Sequence, residues 1–185
     1  MKTKYVLCGG WQRAKGYEGL RPFYEEILKD TTDKVRVLLV LFASDDNRID
    51  DEFVRTKNLF EMCKGDKELE YVVADKETFR EQVKSSDIVY LSGGKTLRLM
   101  EALGEYSDYP AMFDGKTVAG ESAGANVLGG YYYSTKTSVV GQGLGLVPYK
   151  IIPHYVSLFA GKLDDVGPDL EELDLPEYQY KVHIV

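Results

Sequence analysis

KVRVLLVLFAS, residues 34–44, holds a run from Val35 to Ala43 in which Arg36 alone interrupts the apolar side chains. A strand with one wet face alternates polar and apolar residues. A run this continuous needs cover on both faces, the habit of a central strand in a parallel sheet. Parallel neighbours need crossover connections, which are usually helical. The stretch therefore predicts strands and helices in alternation around it.

That alternation is present. KYVLCGG, ELEYVVA, DIVYLSGG and KTVAGES share the short, β-branched or aromatic make-up of strands closed by turn residues. Between them Leu20, Phe23, Tyr24, Ile27 and Leu28 recur at the spacing of a helix face, and Phe53, Leu59, Phe60 and Cys63 do so more loosely. Phe79 with Val83, and Leu97, Met100 and Leu103, mark two shorter helices. The pattern specifies an α/β fold with a doubly wound, mostly parallel sheet flanked by helices on both faces, flavodoxin-like or Rossmann-like, in a single domain over residues 1–185. After Gly129 the regularity is lost. YYYST, TSVVGQGLGL and YKIIPHYVS read as short irregular strands and loops, LFAGKLDDV as a helix, DLEELDLPEYQ as an acidic solvated segment, and YKVHIV as a closing strand. Tyr131, Tyr132 and Tyr133 read as a strand whose rings are alternately buried and exposed.

Composition narrows the function. Thirty acidic against 23 basic residues give a net charge of −7 without a Lys/Arg block, which disfavours nucleic-acid and anionic-membrane partners and leaves a small molecule or peptide. Cys8 and Cys63 sit in apolar contexts and are too few for a disulfide framework, so free thiols in a reducing compartment are expected. The apolar run in MKTKYVLCGG is too short for a signal peptide, and no stretch approaches the roughly 20 apolar residues that span a bilayer, so a soluble cytoplasmic protein is expected. CGGW misses the G-x-G-x-x-G spacing of a dinucleotide site, and no C-x-x-C or clustered His, Asp and Glu spacing supports a metal; no cofactor is expected.

GESAGAN, residues 120–126, matches G-x-S-x-G at a strand-to-helix turn. Small flanking residues let the chain turn sharply and leave the Ser122 hydroxyl exposed at the carboxyl end of the sheet, where open α/β folds place their crevice. The Ala123 N–H then faces a developing oxyanion, and the glycine turn SGGKT, residues 92–96, offers Gly93 and Gly94 as second donors. The five residues alone fit a serine that merely caps a helix equally well. A nucleophilic serine also needs a base. Of the two histidines, His154 follows the candidate strand end YKIIP, whereas His183 lies inside the closing strand, where a structural or exposed role fits better.

The ordered set YLSGGKT, GESAGAN, GLGL and IPHY resembles the dipeptidase E and cyanophycinase family of serine peptidases, whose flavodoxin-like core is related to class I glutamine amidotransferases. The likeness runs from the first strand to about residue 160. It implies Ser122 as nucleophile, His154 as base and Gly94 with Ala123 as oxyanion hole, acting on a small peptide or amide. An acidic residue on the acyl side (P1) is implied by members that cleave after an N-terminal aspartate or cut an aspartate and arginine polymer.

Two departures follow. The family's acid normally lies between elbow and histidine, yet residues 126–153 contain no carboxylate. Thr135, Thr137 and Ser138 stand there as neutral groups that could accept a proton from the imidazole but could not stabilise an imidazolium. Glu121 adjoins the serine, yet a residue just before an elbow nucleophile usually points to the other side of the strand. Either the acid comes from elsewhere, or the enzyme is a slow Ser-His dyad, or the chain is a non-catalytic relative that binds a small acidic ligand. Secondly, Lys95 replaces the asparagine of the family's GGNT, so Lys95 with Thr96 would meet a substrate carboxylate with an ammonium. Related sequences also add a short strand or hairpin beyond YKVHIV, and the bare edge suggests a homodimer. An α/β-hydrolase esterase is disfavoured by the absence of an acid between serine and histidine, and an amidotransferase by serine at the elbow.

Overall fold

The computed structural model describes residues 2–104 and 106–185. Among the described residues ten strands form two sheets. The first holds β1 (Lys4–Cys8), β2 (Lys34–Val40), β3 (Glu68–Val73), β4 (Ile88–Leu91), β5 (Thr117–Glu121) and β10 (Tyr180–Ile184), in the order β10-β1-β5-β4-β2-β3. β1 to β5 run parallel, and β10 pairs antiparallel with β1. The second holds β6 (Tyr131–Ser134), β7 (Val139–Gln142), β8 (Tyr149–Pro153) and β9 (Glu171–Leu175), in the order β7-β6-β8-β9.

β2 explains why the first sheet is covered twice. Val37 and Leu39 face a core with Phe23, Tyr24 and Ile27 of α1 (Arg21–Leu28) and Leu59 and Phe60 of α2 (Ile49–Cys63). Leu38 and Val40 face the opposite core, which contains Phe79 and Val83 of α3 (Phe79–Lys84), Leu99 and Leu103 of α4 (Thr96–Leu103), Tyr109 of α5 (Tyr109–Met112), and Ala123 and Val127 of α6 (Ala123–Leu128). Burying both faces is what made the run at 35–43 continuous. Local signals set the helix starts: Pro22 opens α1, and Asp50, Asp51 and Glu52 place negative charge in the first turn of α2, where the helix dipole favours it. The chain is thus an α/β fold of mostly parallel sheets flanked by helices.

Beyond Gly129 the structure is more regular than the sequence reading. The short strands assemble into a full second sheet in which β8 runs parallel to both β6 and β9. The acidic segment, read as solvated, contains β9: Leu173 and Leu175 stand two apart and Leu175 is buried, while the intervening Asp174 is exposed. LFAGKLDDV is not an α-helix. A 3-10 turn at Ser157–Phe159 gives way to turns because Gly161 takes a left-handed φ of 75°. The tyrosine run does not alternate either. Tyr132 and Tyr133 are both buried, Tyr133 against Ile152 and Leu163, and Tyr132 with its ring over Gly141 of the paired strand. No described helix is long and apolar enough to cross a membrane.

The elbow is packed backbone to backbone. A Cβ on Gly120 would lie 2.5 Å from the Gly124 carbonyl carbon, and one on Gly124 would lie 2.8 Å from the Leu91 carbonyl carbon, with the Leu91 oxygen closer still. Neither obstacle is a flexible side-chain end. Gly124→Ala is therefore expected to lower unfolding free energy by about 2–3 kcal/mol, or to prevent folding, as overpacking does. Urea unfolding checks this; an unchanged midpoint would show that α6 does not press on β4.

Candidate active site

The carboxyl ends of β1, β4 and β5, together with the loop after β2, converge on one cavity of about 440 Å³, bordered by Gly10, Ala43, Gly94, Ser122 and His154. Three successive residues at the end of β1 organise it. The Ser122 N–H donates to the Cys8 carbonyl (2.9 Å), the His154 N–H to the Gly9 carbonyl (3.0 Å) and the Tyr178 N–H to the Gly10 carbonyl (2.8 Å). The Gly9 N–H donates in turn to the carbonyl of Gln179 (3.0 Å).

Ser122 sits between β5 and α6 with φ 51° and ψ −101°, a conformation L-residues rarely adopt. It turns the hydroxyl out of the sheet and into the cavity. His154 follows the last residue of β8 with φ 53°, also at positive φ. Ser122 Oγ lies 2.9 Å from His154 Nε2. Gly10 leaves room for this contact: a Cβ there would lie 2.6 Å from His154 Cε1 and 3.2 Å from Ser122 Cβ.

The other ring nitrogen, His154 Nδ1, lies 3.3 Å from Glu177 Oε1. The sequence reading missed this carboxylate, having searched between serine and histidine, whereas Glu177 is 23 residues beyond the histidine. Its route is topological. β8 and β9 are parallel neighbours with Pro153 opposite Leu175, so the loops leaving them emerge side by side, one carrying His154 and the other Glu177. The alternation of Leu173 and Leu175 just before Pro176 was the available signal. Thr135, Thr137 and Ser138 are not brought to Nδ1. Thr135 borders the cavity, the Thr137 hydroxyl donates to Ser134 Oγ (2.8 Å), and the Ser138 N–H donates to the Ser134 carbonyl (2.8 Å). His183 stands apart in β10, its ring packed edge-on against Tyr149.

Among the described residues the Gly94 and Ala123 N–H groups have no hydrogen-bond partner within the protein, which leaves both as potential donors beside Ser122. Gly94 has φ 142°, and a Cβ there would meet the carbonyl carbon of Ala43 at 2.7 Å. Lys95, expected to hold a substrate carboxylate, is instead ion-paired with Asp45 at 2.6 Å, and its hydrogen bond lowers the Asp45 pKa. The Thr96 hydroxyl accepts from Asn126 Nδ2 at 3.0 Å.

Beneath the elbow Glu121 is 1 % exposed. It accepts from the Tyr90 hydroxyl (2.6 Å), itself an acceptor from Tyr24 (2.8 Å), and from Arg55 Nη2 (3.2 Å), whose guanidinium also binds Glu52 and lies under the Trp11 ring. Burial opposes the Arg55 charge most strongly, but Glu121, Tyr24, Tyr90 and Glu52 together overcome that penalty and the arginine stays protonated. Burial, then the charge of Glu121, pushes the Cys8 thiol far above its ordinary range, so Cys8 does not compete as a nucleophile.

Comparison with known proteins bears on the fold and the family. A candidate peptidase E protein from Listeria monocytogenes EGD-e has a similar structure at a TM-score of 0.67 and 17% identity, covering 100% of this chain and 98% of that one. A peptidase from an acI-B1 Actinobacterium is similar at a TM-score of 0.65 and 20% identity, covering 99% of this chain and 84% of the other. At these identities the likeness concerns the fold. No curated protein matches the chain. The family model for peptidase family S51 matches residues 6–172, a span that contains Ser122 and His154 and stops short of Glu177. With that match over most of its length, the chain belongs to peptidase family S51, a family of hydrolases.

Proposed function

We propose that this protein is a serine peptidase that cleaves a small peptide or amide through an acyl-enzyme on Ser122. The 2.9 Å approach of Ser122 Oγ to His154 Nε2, with Glu177 behind the ring, carries this reading. For Nε2 to accept the serine proton, Nδ1 must hold the ring's hydrogen, and a carboxylate at Nδ1 favours that tautomer and stabilises the imidazolium that forms.

Attack of Ser122 Oγ on the carbonyl carbon forms a C–O bond while its proton passes to His154 Nε2. The negative charge on the carbonyl oxygen falls to the Gly94 and Ala123 N–H groups. Collapse breaks the C–N bond, with His154 returning the proton to the leaving amine. Water then repeats the sequence on the ester, losing its proton to His154, and the acid product leaves as Ser122 regains its hydrogen. A binding-only role drew its support from a missing acid; Glu177 removes that support.

The cavity also favours a substrate that brings a carboxylate, as an acidic side chain or as the terminus of a short peptide. Lys95 is neutralised by Asp45, but Arg13, Arg48 and Lys136 border the cavity without an ion pair among the described residues.

A fluorophosphonate should label the wild type on Ser122, read by mass spectrometry, and leave Ser122→Ala unmodified and His154→Ala at least about 10²-fold slower. An unlabelled wild type would refute the peptidase reading. Glu177→Gln should lower kcat by about 10²- to 10⁴-fold with KM nearly unchanged, by analogy with neutralising the acid of a serine triad; an unchanged kcat would reduce the machinery to Ser122 and His154. Amidating the terminus of a short peptide substrate that lacks acidic side chains should raise KM by about 10-fold, the worth of roughly one charge-assisted hydrogen bond. Equal KM values would leave an acidic side chain as the sole carboxylate recognised.

A further inference from the structure

A second cavity, of about 350 Å³, opens beside the first and shares Gly94, Lys95, Thr96, Ser134 and Lys136 with it. Its remaining wall is made by Leu97, Arg98 and Glu101 of α4 and by Tyr132, Thr137 and Val139 of the β6–β7 hairpin. Leu97 is 60 % exposed and Val139 44 % exposed, so apolar surface stands open to water in a cavity that adjoins the one holding Ser122. Covering it with another apolar group would remove that surface from water, which is favourable.

Most polar groups around this cavity are already engaged. Lys95 is bound to Asp45, Arg98 to Asp46 with Asp45 close by, and the Thr137 hydroxyl to Ser134. A carboxylate entering there would find Lys136 as the one border cation without an ion pair among the described residues. What the cavity offers a ligand is hydrocarbon.

Its position fixes which part of a substrate it meets. His154 must reach the leaving nitrogen, so the leaving portion lies along His154, Gly10 and Pro153. None of these borders the second cavity, which meets the first at Gly94, one of the two oxyanion donors.

We infer that the second cavity is the acyl-side pocket of the same site and takes a large apolar side chain, of leucine or phenylalanine size, from the residue whose carbonyl Ser122 attacks. The inference rests on the peptidase reading above. It assigns the carboxylate favoured by Arg13 and Arg48, which border the first cavity alone, to the leaving residue, and it departs from the acidic acyl-side residue that family resemblance implies.

Diphenyl aminoalkylphosphonates carrying the side chains of glycine, aspartate, leucine and phenylalanine test it with the full-length protein. Ser122 Oγ attacks phosphorus, one phenoxide leaves with the serine proton relayed by His154, and the second-order inactivation rate is read from phenol release and adduct mass. The leucine and phenylalanine analogues should react about 10- to 100-fold faster than the glycine and aspartate analogues, the range that apolar pockets discriminate. Val139→Asp should bring that ratio close to one, and Leu97→Asp provides the same test from the helix side if the hairpin variant does not fold. Equal rates for all four analogues with Ser122 labelled, a fastest aspartate analogue, or a ratio untouched by both substitutions would overturn the pocket while leaving the peptidase. Failure of every analogue to label Ser122 would overturn both.

Discussion

The end of β1 is the constraint on which the site depends. Cys8, Gly9 and Gly10 present three successive carbonyls, and these receive the amides of Ser122, His154 and Tyr178, the residue next to Glu177. β1 is itself held on both sides, by β5 and by β10. Ser122 and His154 both stand at positive φ, a cost of about 1–3 kcal/mol each that persists only where surrounding bonds over-determine the backbone. The carbonyls of Cys8 and Gly9 supply that restraint. Glycine at position 9 is required for a related reason: a Cβ there would lie 2.8 Å from the carbonyl carbon of Leu175, with the Leu175 and Pro176 oxygens nearer still. The chain that delivers Glu177 therefore lies directly on the strand that fixes Ser122.

This arrangement makes the site a seam between two sheets. Ser122 and Gly94 come from the carboxyl ends of parallel strands in the first sheet, whereas His154 and Glu177 leave the parallel pair β8 and β9 of the second. α6 links the halves, since its buried residues pack in the same core as Leu91 of β4 and Ile151 of β8. The buried Glu121, Arg55 and Tyr90 group under the elbow adds a polar tie between β5, α2 and β4, each charge having an opposite partner, as buried charges require.

Much of the first sheet was legible because its physics is local. Continuous apolar runs, helical spacing and glycine turns each report burial or backbone shape over a few residues, and they located β1 to β5, α1 to α4 and the elbow. Ser122 and His154 were readable as candidates for the same reason, each being a reactive group at a strand end. The second sheet was harder. β9 is five residues long and carries three carboxylates among its two leucines, so average polarity hid a period of two. Glu177 was illegible for a different reason: its approach to His154 follows from the parallel pairing of β8 and β9, a long-range choice that no window of sequence records. The second cavity is likewise a product of packing, built by α4 against a hairpin from the other sheet. Lys95 misled because its partner Asp45 is 50 residues away.

Amide hydrogen exchange measured residue by residue tests the central claim most directly. If the end of β1 clamps the elbow, the histidine turn and the glutamate loop together, the Ser122, His154 and Tyr178 amides will exchange as slowly as those of Val6 and Leu7 within the strand, through one shared opening. Fast, independent exchange of these three amides beside a protected β1 would contradict the account.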